Sequence, residues 1–227
     1  MSALLRYATV VVTAIAAGGC HIGNDAPPVD APGAGDGDGG GSGGRTGLIV
    51  QWNSRPSTIP SGPASNATID RVVIRQDDLR VVGDAGSLEL DRDRLEWSRG
   101  IAPTTLPVTG ALPGLYSRLL FELDGSEGAM EEYAYEITGT VKIGNAFQPF
   151  TIRDTADLSL SLELSVTLPA GGSAVIPVRI EIDKVVGVVS FSQVPKQDGR
   201  YLLDESSPQI SNVRAAVRAA FSINGPG

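Results

Sequence analysis

The strongest pattern in the chain is a strict alternation. Leu158, Leu160, Leu162, Leu164, Val166 and Leu168 alternate with Ser159, Ser161, Glu163, Ser165 and Thr167. A period of two sends one set of side chains to a core and the other to water, so residues 158–168 read as a long half-buried strand. Pro169-Ala170-Gly171-Gly172 turns the chain, and Ala174, Ile176, Val178, Ile180 and Ile182 repeat the alternation. Two such strands on a four-residue turn predict an antiparallel hairpin, and one-sided burial fits an antiparallel sheet. Earlier segments add shorter strands. Residues 48–52 form one. Ile69 to Arg75 and Leu79 to Val82, separated by Gln76-Asp77-Asp78, predict a hairpin or bent pair. Ser87 to Trp97 carries dense charge and few apolar positions. Leu115 to Leu123 follows a Leu-Pro-Gly turn, and Tyr133 to Ile143 pairs with Phe147 to Ile152 around Gly144-Asn145.

Near the C-terminus the period changes. Ile210, Val213, Val217 and Phe221 recur at spacings of three and four, with Ser207-Pro208 before them and Asn224-Gly225-Pro226 after. This predicts one amphipathic helix, capped by Ser207 with proline in its first turn and packed across an open end of the sheets. Arg214 and Arg218 stand one turn apart on its other face. The expected fold is mainly β, an antiparallel sandwich with one C-terminal helix spanning residues 48–223. The chain carries no internal repeat.

The N-terminal region is organised differently. Arg6 precedes an apolar run from Tyr7 to Ala17, and Gly18-Gly19-Cys20 follows. A charged start, a short apolar stretch and small residues at a cleavage point are the layout of a secretory signal, and the run is too short for a span of about 20 residues. Cys20 is the only cysteine in the chain. Gly18-Gly19-Cys20 resembles a bacterial lipobox, with Ala17 where the usual pattern has leucine. The resemblance implies that residues 1–19 are a lipoprotein signal peptide, and that the Cys20 thiol carries a diacylglyceryl group. It also implies three fatty chains in all, palmitate among them. His21, which is not the aspartate associated with inner-membrane retention, implies the outer membrane. Several acyl chains anchor stably where one does not. Residues 20–47 then form a tether, since Asn24 to Gly47 is almost all Gly, Pro, Ala, Asp and Ser. About 25 such residues give a reach of roughly 25–30 Å.

Leu112-Pro113-Gly114-Leu115-Tyr116, leading into Ser117 to Leu123, resembles a phrase of prealbumin-like and carboxypeptidase-regulatory-like domains, where Leu-Pro-x-Gly-x-Tyr closes a turn and opens a core strand. Uncharacterised bacterial lipoproteins with immunoglobulin-like or prealbumin-like β-sandwich domains of unknown function also use it. The resemblance covers residues 47–203 and implies a fold; it carries over no catalytic residue.

Charge and residue types then narrow the chemistry. The net charge is −8, or −9 once residues 1–19 are removed with Arg6. Such a chain repels nucleic acid and anionic lipid, and its basic residues show no nucleic-acid footprint. His21 is the only histidine, so the domain itself has neither histidine nor cysteine. Ser-His-Asp and Cys-His nucleophile systems, His/Cys zinc sites, haem and iron–sulfur ligation are excluded in their usual forms. No phosphate-binding loop and no dinucleotide fingerprint is present. The expectation is no cofactor, no metal and no catalysis.

Carboxylates and aromatics remain. Asp91 and Asp93 flank Arg92, and Glu96 follows. Residues two apart share a strand face, so Asp91 and Asp93 are a candidate cation pair or acid pair. Glu127, Glu131 and Glu132 form a second set, and Asp77 with Asp78 a third. Each set reads first as a solvated loop or helix end. Asp36-Gly37-Asp38-Gly39 lacks the further ligands of a calcium loop, and Asn66-Ala67-Thr68 reads as an accidental glycosylation match. Trp52, Tyr116, Tyr133 and Tyr135 are aromatic candidates, and Trp97, with charged neighbours, is the best candidate for an exposed one. Trp97, Asp91 and Asp93 together mark the expected ligand surface. The leading expectation is an outer-membrane-anchored envelope lipoprotein that binds or scaffolds, with an envelope protein or glycan as partner. The rivals are a carboxylate-based glycan hydrolase, a calcium-dependent carbohydrate binder, and a subunit of a larger assembly docking through a sheet edge.

Overall fold

The computed structural model describes residues 47–54, 67–91, 94–98, 104–125 and 133–223. The strands are β1 (Gly47–Ser54), β2 (Ala67–Arg75), β3 (Asp77–Gly83), β4 (Gly86–Glu89), β5 (Arg94–Ser98), β6 (Thr104–Val108) and β7 (Gly114–Leu123). After them come β8 (Tyr135–Ile143), β9 (Ala146–Asp154), β10 (Leu158–Leu168) and β11 (Ser173–Ile180). Helix α1 (Ile182–Gly187), β12 (Lys196–Gln197), β13 (Arg200–Leu203), helix α2 (Ile210–Ala220) and β14 (Phe221–Ile223) complete the order.

These strands make three sheets. Sheet I has the order β14-β11-β1-β6, sheet II β10-β7-β3-β4, and sheet III β12-β13-β9-β8-β2-β5. Sheets I and II face each other across an aromatic core, where Trp52 of β1 meets Phe121 of β7 edge-on at 5.4 Å and Phe221 meets Phe121 at 5.3 Å. The apolar set of β10 supplies this core through Leu158, Leu160, Val166 and Leu168. The molecule is mainly β with a mostly antiparallel sandwich, as the alternation requires.

The relation between sheets II and III follows from their strand orders. The run β10-β7-β3-β4 lies alongside β9-β8-β2-β5, and each pair is consecutive in sequence. Two segments described throughout therefore run from one sheet into the other and bend along one line, β2 into β3 at Gln76 and β9 into β10 at residues 155–157. Both ladders run up to this line: Leu90 N–H extends the β3–β4 ladder of sheet II by donating to Leu79 at 2.8 Å, and Arg75 N–H extends the β2–β8 ladder of sheet III by donating to Ala134 at 2.9 Å.

Several expected pairings are corrected here. β10 and β11 do not form a hairpin: β10 pairs with β7, and β11 lies parallel to β1. The Pro169–Gly172 turn carries the chain between facing sheets. Likewise β2 and β3 do not pair, because the chain passes from sheet III to sheet II at Gln76. Only the β8–β9 hairpin pairs as read, with Gly144 at φ +60 in its turn. Ile182, expected to end a strand, opens α1. Helix α2 begins at Ile210 without a side-chain cap, and Ser207 instead accepts from the Asp204 N–H through its hydroxyl. Phe221 leaves the helix to pair with Ile180. Among the described residues no helix is long and apolar enough to cross a membrane.

Candidate functional site

The bend and the outer face of sheet II bring polar side chains from three strands together. Along β10 the polar set points away from the core, so Ser159 and Ser161 are exposed. On β7 the residues between buried Leu119, Phe121 and Leu123 are Leu120 and Glu122, and they share that outer face. Cross-strand pairing sets Ser161 opposite Leu120 and Ser159 opposite Glu122. On the other side Arg80 lies opposite Leu120 and Asp77 opposite Glu122. Asp77 and Arg80 are an odd number of residues apart, so a regular strand would send them to opposite faces. A bulge between them, with Asp78 at φ +50, puts both on the outer face.

The result is a shallow groove of about 310 Å³, walled by Asp78, Arg80, Glu122, Ser159 and Ser161 over Leu120. Arg80 Nη2 donates to Asp78 Oδ2 at 2.9 Å, and Ser159 Oγ to Glu122 Oε1 at 3.0 Å. Toward the bend the groove becomes acidic. Burial there, a hydrogen bond with Asp157, and the charges of Asp157, Asp77 and Glu122 hold the Asp124 carboxyl above the usual carboxylate range. The groove thus offers acceptors, one guanidinium donor, hydroxyls that serve as both, and an apolar floor.

The residues nominated from sequence fall elsewhere. Trp97 is corrected outright: it is fully buried, with 0 % exposure. Leu95 and Trp97 point inward while Arg94, Glu96 and Ser98 take the outer face, so its charged neighbours are the opposite side of a period-two strand. Asp91 is exposed between β4 and β5, and Asp93 lies outside the described residues. Glu96 does not join Asp91 in a cation pair. It accepts from Arg71 Nε at 2.7 Å and Arg94 Nη2 at 2.8 Å on sheet III, and these contacts hold its carboxyl below the usual range. Trp52 and Tyr116 are core residues. Tyr133 stacks on the Arg153 guanidinium at 4.5 Å. Cys20, His21, Asp36, Asp38, Asn66, Glu127, Glu131 and Glu132 lie outside the described residues. Among the described residues no three acidic, histidine or cysteine side chains converge as a metal site.

A second polar cluster is buried. Asp154 has 0 % exposure, and Arg214 of α2 grips it with Nε to Oδ2 at 2.7 Å and Nη2 to Oδ1 at 2.9 Å. Tyr135 Oη adds a donor at 3.1 Å, and burial followed by the Asp154 charge keeps that phenol protonated far above its ordinary range. The cluster pins the C-terminal helix to sheet III. Beside it, the apolar junction of α1, α2 and the sheets holds a void of only about 10 Å³, room for no more than one water. The groove on sheet II is therefore the better ligand site. No family model, curated protein or solved structure matches this chain.

Proposed function

We propose that this chain is an outer-membrane-anchored envelope lipoprotein that works by binding, and that its groove on sheet II takes a polyhydroxylated partner, an envelope glycan. The observation that carries this reading is the mixed lining of the groove. Sugar hydroxyls donate and accept, so they match the carboxylates of Asp78 and Glu122 and the guanidinium of Arg80 at once. Leu120 meets the apolar face of a sugar ring. Both tryptophans are in the core, so the groove is left without their stacking platforms and a single contact is weak. Lipid anchoring through Cys20 offsets that weakness, since many copies on one membrane raise the effective concentration.

The hydrolase alternative finds less support. Asp124 and Asp157 are hydrogen-bonded to each other. Glycosidase carboxyl pairs stand about 5–9.5 Å apart, with the sugar or a water between them.

The test is co-sedimentation of the detergent-solubilised full chain with isolated envelope glycan. Arg80→Ala and Glu122→Ala are each expected to reduce retention about tenfold, the loss typical of an unpaired polar contact. Unchanged retention in both refutes the groove. Separately, Cys20→Ala is expected to release the protein from membranes, and a variant that stays membrane-bound refutes the anchor.

A further inference from the structure

The end of the sandwich farthest from the bend has an unusual surface. Three connections and the entry of the chain converge there. Gly47 N–H donates to Gly172 at 2.9 Å and pairs with Ser173, placing the start of the domain on the Pro169–Gly172 turn. Val108 lies opposite Leu48, so the 109–113 connection leaves from the same end. Gly114 lies opposite Leu168, and the Asp84 N–H donates to Leu115 at 2.9 Å, which brings in the β3–β4 turn. In segments 84–87, 109–115 and 169–175, Asp84 is the one charged residue. Most of these residues are exposed.

Apolar side chains project from this charge-poor end. Leu112 is 58 % exposed, Val175 44 % and Leu115 38 %. They are held in place. Tyr116 Oη donates to the Leu112 carbonyl at 2.8 Å, and the Leu115 N–H donates to Asp84 Oδ2 at 3.3 Å. Bracing fixes the backbone that presents Leu112 and Leu115 to solvent. Large apolar groups that are exposed at one end and rimmed by small polar residues mark an interaction surface.

What covers this end follows from where the remaining chain joins. Residues 20–46 enter at Gly47, among these loops, so a lipid on Cys20 brings this end toward the bilayer. The rest of an acidic chain is repelled by an anionic membrane surface, while this end carries almost no charge to repel. We propose that the 84–87, 109–115 and 169–175 loops dock on the bilayer, with Leu112 and Leu115 entering the headgroup boundary. This rests on the lipid-anchor reading. The tether supplies a high local concentration, so a contact too weak to recruit a free protein suffices.

The experiment uses the full chain reconstituted in phosphatidylcholine–phosphatidylethanolamine vesicles. An environment-sensitive maleimide is placed at Leu112→Cys, and separately at Phe147→Cys, since exposed Phe147 lies beyond the bend at the far end of the molecule. Docking predicts a blue-shifted probe at position 112 that loses most of its emission to a shallow spin-labelled lipid, and an unshifted, unquenched probe at 147. If both probes stay unquenched on protein that floats with the vesicles, the domain hangs free and the docking is overturned while the anchor stands. A blue shift that tracks protein density instead of quencher assigns this end to a second copy, and also overturns it. If the wild-type chain takes up the maleimide at Cys20 and does not float, the anchor reading fails and the docking fails with it.

Discussion

Removing one partner of the buried Asp154–Arg214 pair is the sharpest test of how the C-terminal helix is held. Arg214→Met keeps the aliphatic stem packed and deletes only the charged fork. The Asp154 carboxylate, at 0 % exposure, is then left with the Tyr135 hydroxyl at 3.1 Å and the Ala156 N–H at 3.3 Å. Breaking a fully buried pair costs about 3–5 kcal/mol. The Arg214 side chain is 32 % exposed, so water screens part of the interaction and the loss comes to about 2–4 kcal/mol. For a domain of this size that is a fall in Tm of about 5–15 °C. Urea unfolding is expected to show the same loss as a shifted midpoint with an unchanged slope. The double variant Asp154→Asn/Arg214→Met removes both charges and recovers most of the stability, because a missing pair is tolerated where a stranded charge is not. A single variant costing less than about 1 kcal/mol, or a double variant no more stable than the single, would refute the assignment.

Two further substitutions test other parts of the fold. Gly139→Ala puts a Cβ 2.0 Å from the Thr68 carbonyl oxygen and 2.8 Å from Phe150 Cζ; the expected cost is about 3 kcal/mol, the upper range for overpacking, and a melting temperature unchanged from wild type would show that the strands can part. Asp124→Asn tests the acidic end of the groove. Its carboxyl titrates above the unfolded value, so folding holds that proton and stability falls as pH rises through the folded value. The substitution is expected to raise Tm at pH 7 and leave it unchanged at pH 3; the opposite pH dependence would refute the crowding of Asp124 by Asp157, Asp77 and Glu122.

Alternation in the sequence states which face a side chain takes, and for β10 it did so correctly at Leu158, Leu160, Val166 and Leu168. It is silent about neighbours. Nothing in Leu158–Leu168 tells β7 from β11 as a partner, so the hairpin reading failed where the turn crosses between sheets. The same blindness hid α1, because Ile180 and Ile182 keep strand spacing through the point where the helix starts. At Trp97 the signal was present and misread: Arg94, Glu96 and Ser98 are the outer half of a period-two strand whose inner half is Leu95 and Trp97. The groove was only half legible. Ser159, Ser161 and Glu122 are visibly the polar sides of their strands. Their meeting with Arg80 depends on a register and a bulge that no local pattern encodes.

The parallel pairing of β1 with β11 also orders events in time. Sheet I joins the first described strand, β1, to β11 at residues 173–180, and among the described residues β6 is the other neighbour of β1. Until residues 173–180 have emerged from the ribosome, the facing layer cannot close over Phe121 and Trp52 has no completed core to enter. Contacts this distant in sequence form slowly. A chain built so delays its own locking until both members of the parallel pair have been made.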